Sequence, residues 1–254
     1  TIKLSLVPIS EEAKEDFMAP PVEETHSKTL PGVGAMIGPY KLEKQLGGES
    51  GFGVVFKARH SKDGSLVAIK FMRQRGKEKF GDPEFHRAAE TFFDEAKLSS
   101  NYSSNPFLVV AKEWADEPWP LIVYPLVEGE TVKHILETRG SISGSAWWNL
   151  AHDMLSGLSD LHADGMVHRD IKYDNVMVTA DRAVILDFGL SHVSGYYKDN
   201  FQLAFATSFA APEVYAPLVN KEFTYENLLA AIQGLTPAYD IYCTGLALYM
   251  ARTG

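Results

Sequence analysis

The stretch from His168 to Asn175 gathers a candidate base, two cations and a candidate metal ligand within eight residues. It follows a long amphipathic pattern of helical period and precedes the short apolar run Val176-Met177-Val178. A polar segment in that position predicts a loop at a helix-to-strand junction. Such a loop could position a hydroxyl group beside a metal-bound phosphate, so it constrains both the fold and the chemistry of the chain.

The composition permits one large domain or two small lobes, because the chain has 254 residues, of which 45% are apolar and 22% charged. The formal net charge of −9 argues against a general nucleic-acid binder, although a phosphate site needs just a few local donors. The one cysteine, Cys243, excludes an intramolecular disulfide and fits a reducing compartment such as the cytoplasm. The sequence shows neither a signal-peptide core nor a bilayer-length apolar run, so we expect no membrane segment within the chain.

The first half of the chain predicts a small antiparallel sheet. Residues 1–37 lack any sustained period and predict a flexible N-terminal extension. From Tyr40 onward, alternating or apolar runs predict strands, and a glycine cluster occupies the first turn of the meander. The strand patterns cover residues 40–46, 54–58, 66–71, 107–114 and 121–126. One helix is predicted within this half, at residues 83–100, where Pro83 suits a first helical turn.

The second half predicts mostly helices. A short helix is expected at 131–138, and a longer one follows Ser143, which can cap its first turn. The longer helix carries one apolar stripe. Its members are Trp147, Leu150, Ala151, Met154, Leu155, Leu158 and Leu161. A last apolar helix starts near Pro237, so the pattern as a whole predicts an α+β fold.

Two features of the first half could contact phosphate. Glycines between two strands let backbone N–H groups approach a phosphate closely, although an ordinary flexible hairpin explains them equally well. The glycines concerned are Gly47, Gly48, Gly51 and Gly53. Lys70 near the end of an apolar strand is either a solvated lysine or a cation for phosphate oxygens. A carboxylate on the following helix could hold it, with Glu95 as the first candidate and Glu90 and Asp94 as alternatives.

The loop and the segment after it offer acid–base and metal chemistry. Asp170 could accept a hydroxyl proton, and Lys172 could neutralise charge on a transferring phosphoryl group. Asn175 offers a neutral oxygen that suits a hard cation, and Asp187 follows a short predicted strand at 183–186. Mg²⁺ commonly takes one or two protein oxygens and completes its shell with water and phosphate, a requirement that Asn175 and Asp187 meet.

The motifs taken in order resemble the eukaryotic-type protein kinase family. They are the glycine-rich turn, Val67-Ala68-Ile69-Lys70, His168-Arg169-Asp170 with Asn175, Asp187-Phe188-Gly189 and Ala211-Pro212-Glu213. The resemblance covers about residues 38–254 and implies a protein-kinase-like two-lobe fold. It implies a sheet lobe at 38–124, a hinge at 125–128 and a partial helical lobe at 129–254. It also implies ATP and Mg²⁺ bound between the lobes, and a protein substrate that presents a hydroxyl group.

The resemblance implies a role for each polar group. Lys70 would contact the α- and β-phosphates of ATP and pair with Glu95. Asp170 would orient the substrate hydroxyl and receive its proton, while Lys172 would steady the γ-phosphate. Asn175 and Asp187 would bind Mg²⁺. His168 would be a structural residue that packs near Phe188.

The resemblance further implies an adenine pocket, although plain core packing remains an alternative for its apolar members. The residues concerned are Val55 and Ala68 above the adenine, Met177 below it, Tyr124 at the back, and Pro125 and Val127 in the hinge. The Pro125 carbonyl and the Val127 N–H would read the adenine edge.

The residues around the loop also indicate a substrate class. Lys172, two positions after Asp170, is similar to the serine/threonine branch of the family, and Thr207 resembles the threonine that orients this lysine and aspartate. The alternative is an inactive signalling scaffold of the same fold, since Ser50 stands where the middle glycine of the glycine-rich loop belongs. A small-molecule kinase is a third possibility, which the segments 187–189 and 211–213 argue against.

The resemblance stops at Gly254, where the central helix of the larger lobe ends. The apolar residues of that helix are therefore expected to lose part of their cover, and residues 1–254 alone are expected to self-associate. The residues concerned are Ile241, Leu246, Leu248, Tyr249 and Met250.

Overall fold

The computed structural model describes residues 30–50, 53–72, 83–116, 119–188, 192–193, 209–219, 224, 226–227, 230–231 and 234–254. The chain forms two compact units. The first comprises Thr1–Asn101 with Val110–Leu126, and the second comprises Tyr102–Val109 with Val127–Gly254. Residues 1–29 of the predicted extension lie outside the described residues, and the sheet of the first unit begins at Met36.

The first unit is built on a six-stranded antiparallel sheet. Its strands are β1 (Met36–Ile37), β2 (Tyr40–Ser50), β3 (Gly53–His60), β4 (Leu66–Met72), β5 (Glu113–Ala115) and β6 (Leu121–Pro125). They lie side by side in the order β1-β2-β3-β4-β6-β5. Alternate residues of β3 and β4, among them Phe56, Ala58, Ile69 and Phe71, enter one hydrophobic core, which explains the period-two pattern in the sequence.

One helix, α1 (Pro83–Ser100), completes the described part of the first unit. Phe85, Ala89, Phe92 and Ala96 are buried, and their spacing of three or four residues places them on one face. The structure confirms the helix predicted at 83–100. The prediction succeeded because the spacing of the buried residues is visible in the local sequence.

The predicted strand at 107–114 is wrong. Its apolar residues divide between the two units: β5 begins at Glu113, whereas Phe107–Val109 belongs to the second unit. There the Val109 N–H donates to the Ile185 carbonyl at 2.9 Å, and the Ile185 N–H donates to the Phe107 carbonyl at 2.8 Å. One end of the run therefore hydrogen-bonds to Ile185 in the second unit, and the other end joins the sheet of the first unit. A continuous apolar pattern does not reveal this division.

The second unit is mostly helical, as predicted. Its helices include α2 (Val132–Arg139), α3 (Gly144–Ala163), α4 (Pro212–Val219) and α5 (Pro237–Thr253). Its short strands are β7 (Glu130–Thr131), β8 (Met166–Val167), β9 (Val176–Val178), β10 (Ala183–Ile185) and β11 (His192–Val193). Strands β10, β9 and β7 form one small sheet, and β11 pairs with β8. A sheet with one helix in the first unit and helices in the second confirm the predicted α+β class.

Two details of α3 differ from the sequence prediction. Ser143 precedes the helix but makes no side-chain cap hydrogen bond, and Gly144, the first helical residue, has a left-handed φ of 61°. Leu155 is 44% exposed, since the face that packs inward is defined by Leu150, Met154 and Leu158, and Leu155 lies beyond its edge. The predicted stripe is therefore wrong at Leu155.

The apolar residues of α5 are covered unevenly. Ile241 and Tyr249 are exposed, whereas Leu246 and Met250 are half-buried. Leu248 is buried, contrary to the prediction, because α3 packs on that side and Trp147 donates its indole N–H to the Leu248 carbonyl at 2.8 Å. Across the described ranges, none of the helices combines the length and apolarity needed to cross a membrane.

Candidate active site

A buried ion pair lies in the first unit. The Lys70 ammonium donates to both carboxylate oxygens of Glu95, at 2.9 and 2.7 Å. The two side chains are 6% and 3% exposed, so water screens the pair weakly. Of the other carboxylates considered from the sequence, Glu90 is exposed, and Asp94 lies 3.8 Å from Lys97.

Regular secondary structure positions this pair. Lys70 lies on β4 directly opposite Val55 of β3 and Ile122 of β6, and Glu95 lies on α1. The Tyr124 hydroxyl donates to Glu95 Oε1, and Lys70 Nζ stands 5.9 Å from the centroid of the Phe92 ring. A hydroxyl donor and an aromatic face partly replace the water that both charges lose on burial.

The strand register places several predicted pocket residues on the face of the sheet that carries Lys70. Ala68 is directly opposite Tyr124, and Val55 is directly opposite Lys70. Directly paired residues share a face, and residues two apart along a strand do as well, so these four side chains line one surface. Pro125 ends β6 of the same unit, whereas Val127 and Met177 belong to the second unit.

Gly53 is required by the close approach of two strands. A Cβ atom at this position would lie 2.5 Å from the Phe71 carbonyl oxygen, so a larger residue would displace the backbone of β4. Gly47 and Gly48 fall within β2, and Gly51 lies outside the described residues. The proposed phosphate contacts of all four glycines remain predictions.

The loop 168–175 lies in the second unit and surrounds the Asp170 carboxylate with donors. The Lys172 ammonium donates to Oδ1 at 2.9 Å and to Oδ2 at 2.8 Å. The Asn175 amide nitrogen donates to Oδ2 at 2.7 Å and to the Asp170 carbonyl at 3.0 Å. A carboxylate held by a cation and an amide has a fixed orientation, which a general base requires.

Asp240 on α5 fixes the start of the loop. Its carboxylate accepts the His168 N–H at 2.7 Å and the Arg169 N–H at 2.8 Å. His162 Nε2 lies 2.9 Å from the same carboxylate, which is fully buried. Arg169 has φ 70°, a conformation that costs a non-glycine residue about 1–3 kcal/mol. The Asp240 hydrogen bonds offset part of that cost.

His168 is a structural residue, as predicted from the resemblance. It is fully buried, and its ring centroid lies 5.4 Å from that of Phe188. The Asp170 N–H points to His168 Nδ1 at 3.3 Å. His168 therefore packs beside Phe188 and accepts a hydrogen bond from the backbone of Asp170.

The hairpin β9–β10 brings the two predicted metal ligands to the same end. Val176 pairs with Ile185, and the Leu186 N–H donates to the Asn175 carbonyl at 2.8 Å. Asp187 is the next residue along, with φ 62°. The Asn175 amide nitrogen is engaged by Asp170, so its side-chain oxygen is the atom left for a cation. An amide oxygen and a carboxylate are ligands suited to Mg²⁺.

No group of three or more His, Cys, Asp or Glu side chains converges as a metal centre in the part of the chain that the structure describes. A two-ligand Mg²⁺ site does not require such a group, since water and phosphate complete its shell. Thr207 lies outside the described residues, so its relation to Lys172 and Asp170 remains a prediction.

Two contacts of the candidate site were absent from the sequence predictions. The Tyr124–Glu95 hydrogen bond joins residues 29 positions apart on different elements, and nothing local indicates it. Asp240 gives a weak signal, because it is an acidic residue in the first turn of an otherwise apolar helix. The sequence does not indicate that Asp240 accepts hydrogen bonds from the backbone N–H groups of His168 and Arg169, which the fold brings to it.

Comparison with known proteins finds a match to the protein kinase domain over residues 40–254. Serine/threonine-protein kinase PknH of Mycobacterium bovis is 30% identical over 227 residues, which cover 87% of this chain and 34% of PknH. The probable serine/threonine-protein kinase PkwA of Thermomonospora curvata is 32% identical over 161 residues, which cover 63% of this chain and 21% of PkwA. Serine/threonine-protein kinase pkn3 of Myxococcus xanthus is 28% identical over 222 residues, 85% of this chain and 38% of pkn3. The chain therefore spans about a third of the length of PknH and at most 38% of the other two.

Proposed function

The chain belongs to the protein kinase family, and on that premise we propose that it transfers the γ-phosphoryl group of ATP to serine and threonine hydroxyls of protein substrates. The observation that carries the proposal is the Asp170 carboxylate held between Lys172 and Asn175, in a loop that Asp240 fixes. Phosphoryl transfer needs positioning and charge neutralisation more than covalent chemistry, and this loop supplies both.

Each side chain of the loop has a defined part in the proposed reaction. Asp170 accepts a hydrogen bond from the substrate hydroxyl and orients its oxygen towards the γ-phosphorus. It takes the proton as the new O–P bond forms and the bond from the γ-phosphorus to the departing ADP breaks. Lys172, which holds Asp170 in the structure, also neutralises charge on the transferring phosphoryl group. The Lys70–Glu95 pair presents a fixed cation to the α- and β-phosphates.

The residues present fit Mg²⁺, which would be held by the Asn175 side-chain oxygen and the Asp187 carboxylate. When bound, the ion neutralises phosphate charge and orients the nucleotide. For adenine, the proposed contacts are Val55, Ala68, Tyr124, Pro125, Val127 and Met177, and Gly47, Gly48, Gly51 and Gly53 allow close approach of backbone N–H groups to phosphate.

The serine/threonine class is supported by the names of the relatives and by Lys172 two residues after Asp170. Thr207 is proposed to orient both side chains. The test uses the purified full-length protein with ATP labelled at the γ-phosphate, Mg²⁺ and generic protein substrates, followed by identification of the labelled amino acid. Lys70→Met and Asp170→Asn are compared with Arg59→Gln, which removes an exposed ion pair with Glu43 on the sheet.

We expect label on serine or threonine from the wild type and from Arg59→Gln. Asp170→Asn is expected to reduce transfer by about 10²–10⁴-fold, the usual contribution of a general base. Label on tyrosine would contradict the substrate class. Nucleotide binding without transfer by the wild type would contradict the activity and support the inactive scaffold instead.

A further inference from the structure

The position of Asn175 depends on a three-residue 3₁₀ turn, Tyr173–Asn175. The turn is closed by the Asn175 N–H, which donates to the Lys172 carbonyl at 3.0 Å. Its far end is fixed by the Leu186 N–H, which donates to the Asn175 carbonyl at 2.8 Å. Any rotation of this turn would move the Asn175 side chain away from Asp170.

The outer side of the turn is held by an ion pair from another element. The Lys133 ammonium on α2 donates to Asp174 Oδ1 at 2.8 Å. The side chains of Lys133 and Asp174 are 46% and 35% exposed. Tyr173, on the other side of Asp174 from Asn175, stacks edge-on against Phe209, with ring centroids 5.1 Å apart. The three residues of the turn thus contact three different parts of the unit.

The backbone that carries Lys133 is itself tied to the strand after the turn. Thr131 caps α2 by accepting the His134 N–H at 3.1 Å, and Thr131 also pairs with Met177 of β9. The N-terminus of α2, which carries Lys133, is therefore held beside β9, and β9 begins directly after Asn175. Exposed ion pairs stabilise a protein by about 1 kcal/mol or less, because ordering two side chains costs entropy. Here both backbones are already held, so the entropy cost is confined to the side chains.

The charges around Lys133 favour its ionised form. The hydrogen bond that Lys133 donates to Asp174 raises the pKa of Lys133, and the charge of Glu137, one helical turn further along α2, adds to the effect. The ammonium group therefore remains a donor to Asp174 throughout the physiological pH range.

We propose that Lys133 is a positioning residue, which acts through Asp174 to hold the Tyr173–Asn175 turn so that Asn175 stays directed at Asp170 and at the cation. The catalytic consequence rests on the proposed kinase function, whereas the effect on the turn does not. Lys133 contacts neither substrate nor metal in this scheme.

The matched pair of variants is Lys133→Gln and Arg139→Gln. Both remove one positive charge from α2 and break an exposed ion pair, since Arg139 binds Glu130. Among the described residues, Arg139 makes no hydrogen bond or ion pair to the turn. In the full-length protein, Lys133→Gln is expected to lower kcat by roughly fivefold and to raise the Mg²⁺ concentration needed for half-maximal rate by a similar factor. The KM for protein substrate should stay unchanged, and Arg139→Gln should match the wild type.

A charge exchange tests whether the effect passes through Asp174. Lys133→Asp and Asp174→Lys should each lower kcat, and the double variant should recover most of the loss. In wild type, raising the salt concentration should lower kcat towards that of Lys133→Gln, which itself should respond little to salt. Independent losses that simply add in the double variant would overturn the proposal, as would equal losses in Lys133→Gln and Arg139→Gln.

Amide hydrogen exchange separates this proposal from the kinase function. The Asn175 and Leu186 N–H groups should exchange severalfold faster in Lys133→Gln and at the wild-type rate in Arg139→Gln. If the wild type transfers no phosphate, the proposed function fails, and these two amides still decide whether Lys133 holds the turn. Unchanged exchange in Lys133→Gln would overturn the proposal whatever the activity.

Discussion

The ion pairs Lys70–Glu95 and Lys172–Asp170 have nearly the same length but different surroundings. Lys70 lies 2.7 Å from Glu95 in the first unit, and Lys172 lies 2.8 Å from Asp170 in the second. The side chains of the first pair are 6% and 3% exposed, whereas those of the second are 27% and 9% exposed. The first pair is therefore almost dry, while water reaches the lysine of the second.

The two pairs also differ in what holds them. Lys70 extends from a strand that is hydrogen-bonded to a strand on each side, and Glu95 extends from an α-helix. Asp170 and Lys172 extend from a loop in which Arg169 has a positive φ. That loop depends on Asp240, a residue 70 positions further along the chain. Ion pairs of equal length can thus depend on local secondary structure in one region and on a distant anchor in another.

The largest expected effect comes from removing that anchor. Asp240→Ala leaves the His168 and Arg169 N–H groups and His162 without their acceptor in a buried site. Each unsatisfied donor costs about 1–3 kcal/mol, so the free energy of unfolding should fall by about 5 kcal/mol. The measurement is the urea midpoint of unfolding.

Asp240→Asn is the control for this variant, because it retains one acceptor oxygen and should lose less than half as much stability. If Asp240→Ala unfolds at the wild-type urea concentration, the loop does not depend on this anchor, and the contrast between the two regions disappears.

The next largest effect is expected at the buried pair of the first unit. Either Lys70→Met or Glu95→Gln leaves one uncompensated buried charge or donor group, which should cost about 3–5 kcal/mol. The double variant removes both charges and should be more stable than either single one. A double-mutant cycle by urea denaturation measures the coupling. Additive losses would show that the two side chains do not stabilise each other.

Lys172→Met sharpens the comparison, since it removes a lysine from the pair whose lysine water reaches. Water reaches Lys172, and Asn175 still donates to Asp170 in the variant, so the free energy of unfolding should fall by less than it does in Lys70→Met. Phosphoryl transfer should nevertheless fall by at least tenfold, because the charge on the transferring group loses its neutralising cation. Urea denaturation and label transfer on one preparation check both statements. A stability loss as large as that of Lys70→Met would refute the assigned difference in burial.

The smallest effect at neutral pH concerns Cys243, three residues after Asp240 on α5. Its thiol donates to the Phe209 carbonyl at 3.2 Å, and burial, aided by the charge of Asp240, raises its pKa to about 12. Because an unfolded cysteine has a pKa of about 8.5, stability from this group is full below that pH and is lost as the pH rises towards 12. At pH 8 the native thiol should react with iodoacetamide far more slowly than the urea-unfolded chain.

The Cys243→Ser variant serves as the reference for modification at other groups. Rapid alkylation of the native protein at pH 8 would show that the region behind the loop is open to solvent. Water would then reach the surroundings of Asp240 as it reaches Lys172, although the Asp240 side chain is fully buried in the structure.

Local pattern was sufficient to predict much of the fold. The α1 helix and the strands that carry Val55 and Lys70 follow from periodicity, because their buried faces repeat every 3.6 or 2 residues. The strand prediction failed at 107–114, where one apolar run is divided between the two units. The pattern failed again where a neighbouring helix decided exposure, at Leu155 and Leu248.

Some features of the candidate site could likewise be predicted from the sequence, and others could not. The sequence alone determined which residue types stand at 70, 170, 172, 175 and 187, and this order of motifs indicated the family, because each chemical role needs a particular functional group. Tertiary structure alone decided that Tyr124 donates to Glu95, that Asp240 receives the loop amides and that Lys133 reaches Asp174. These contacts join residues 29 to 72 positions apart, and no local propensity encodes which distant donor meets which acceptor.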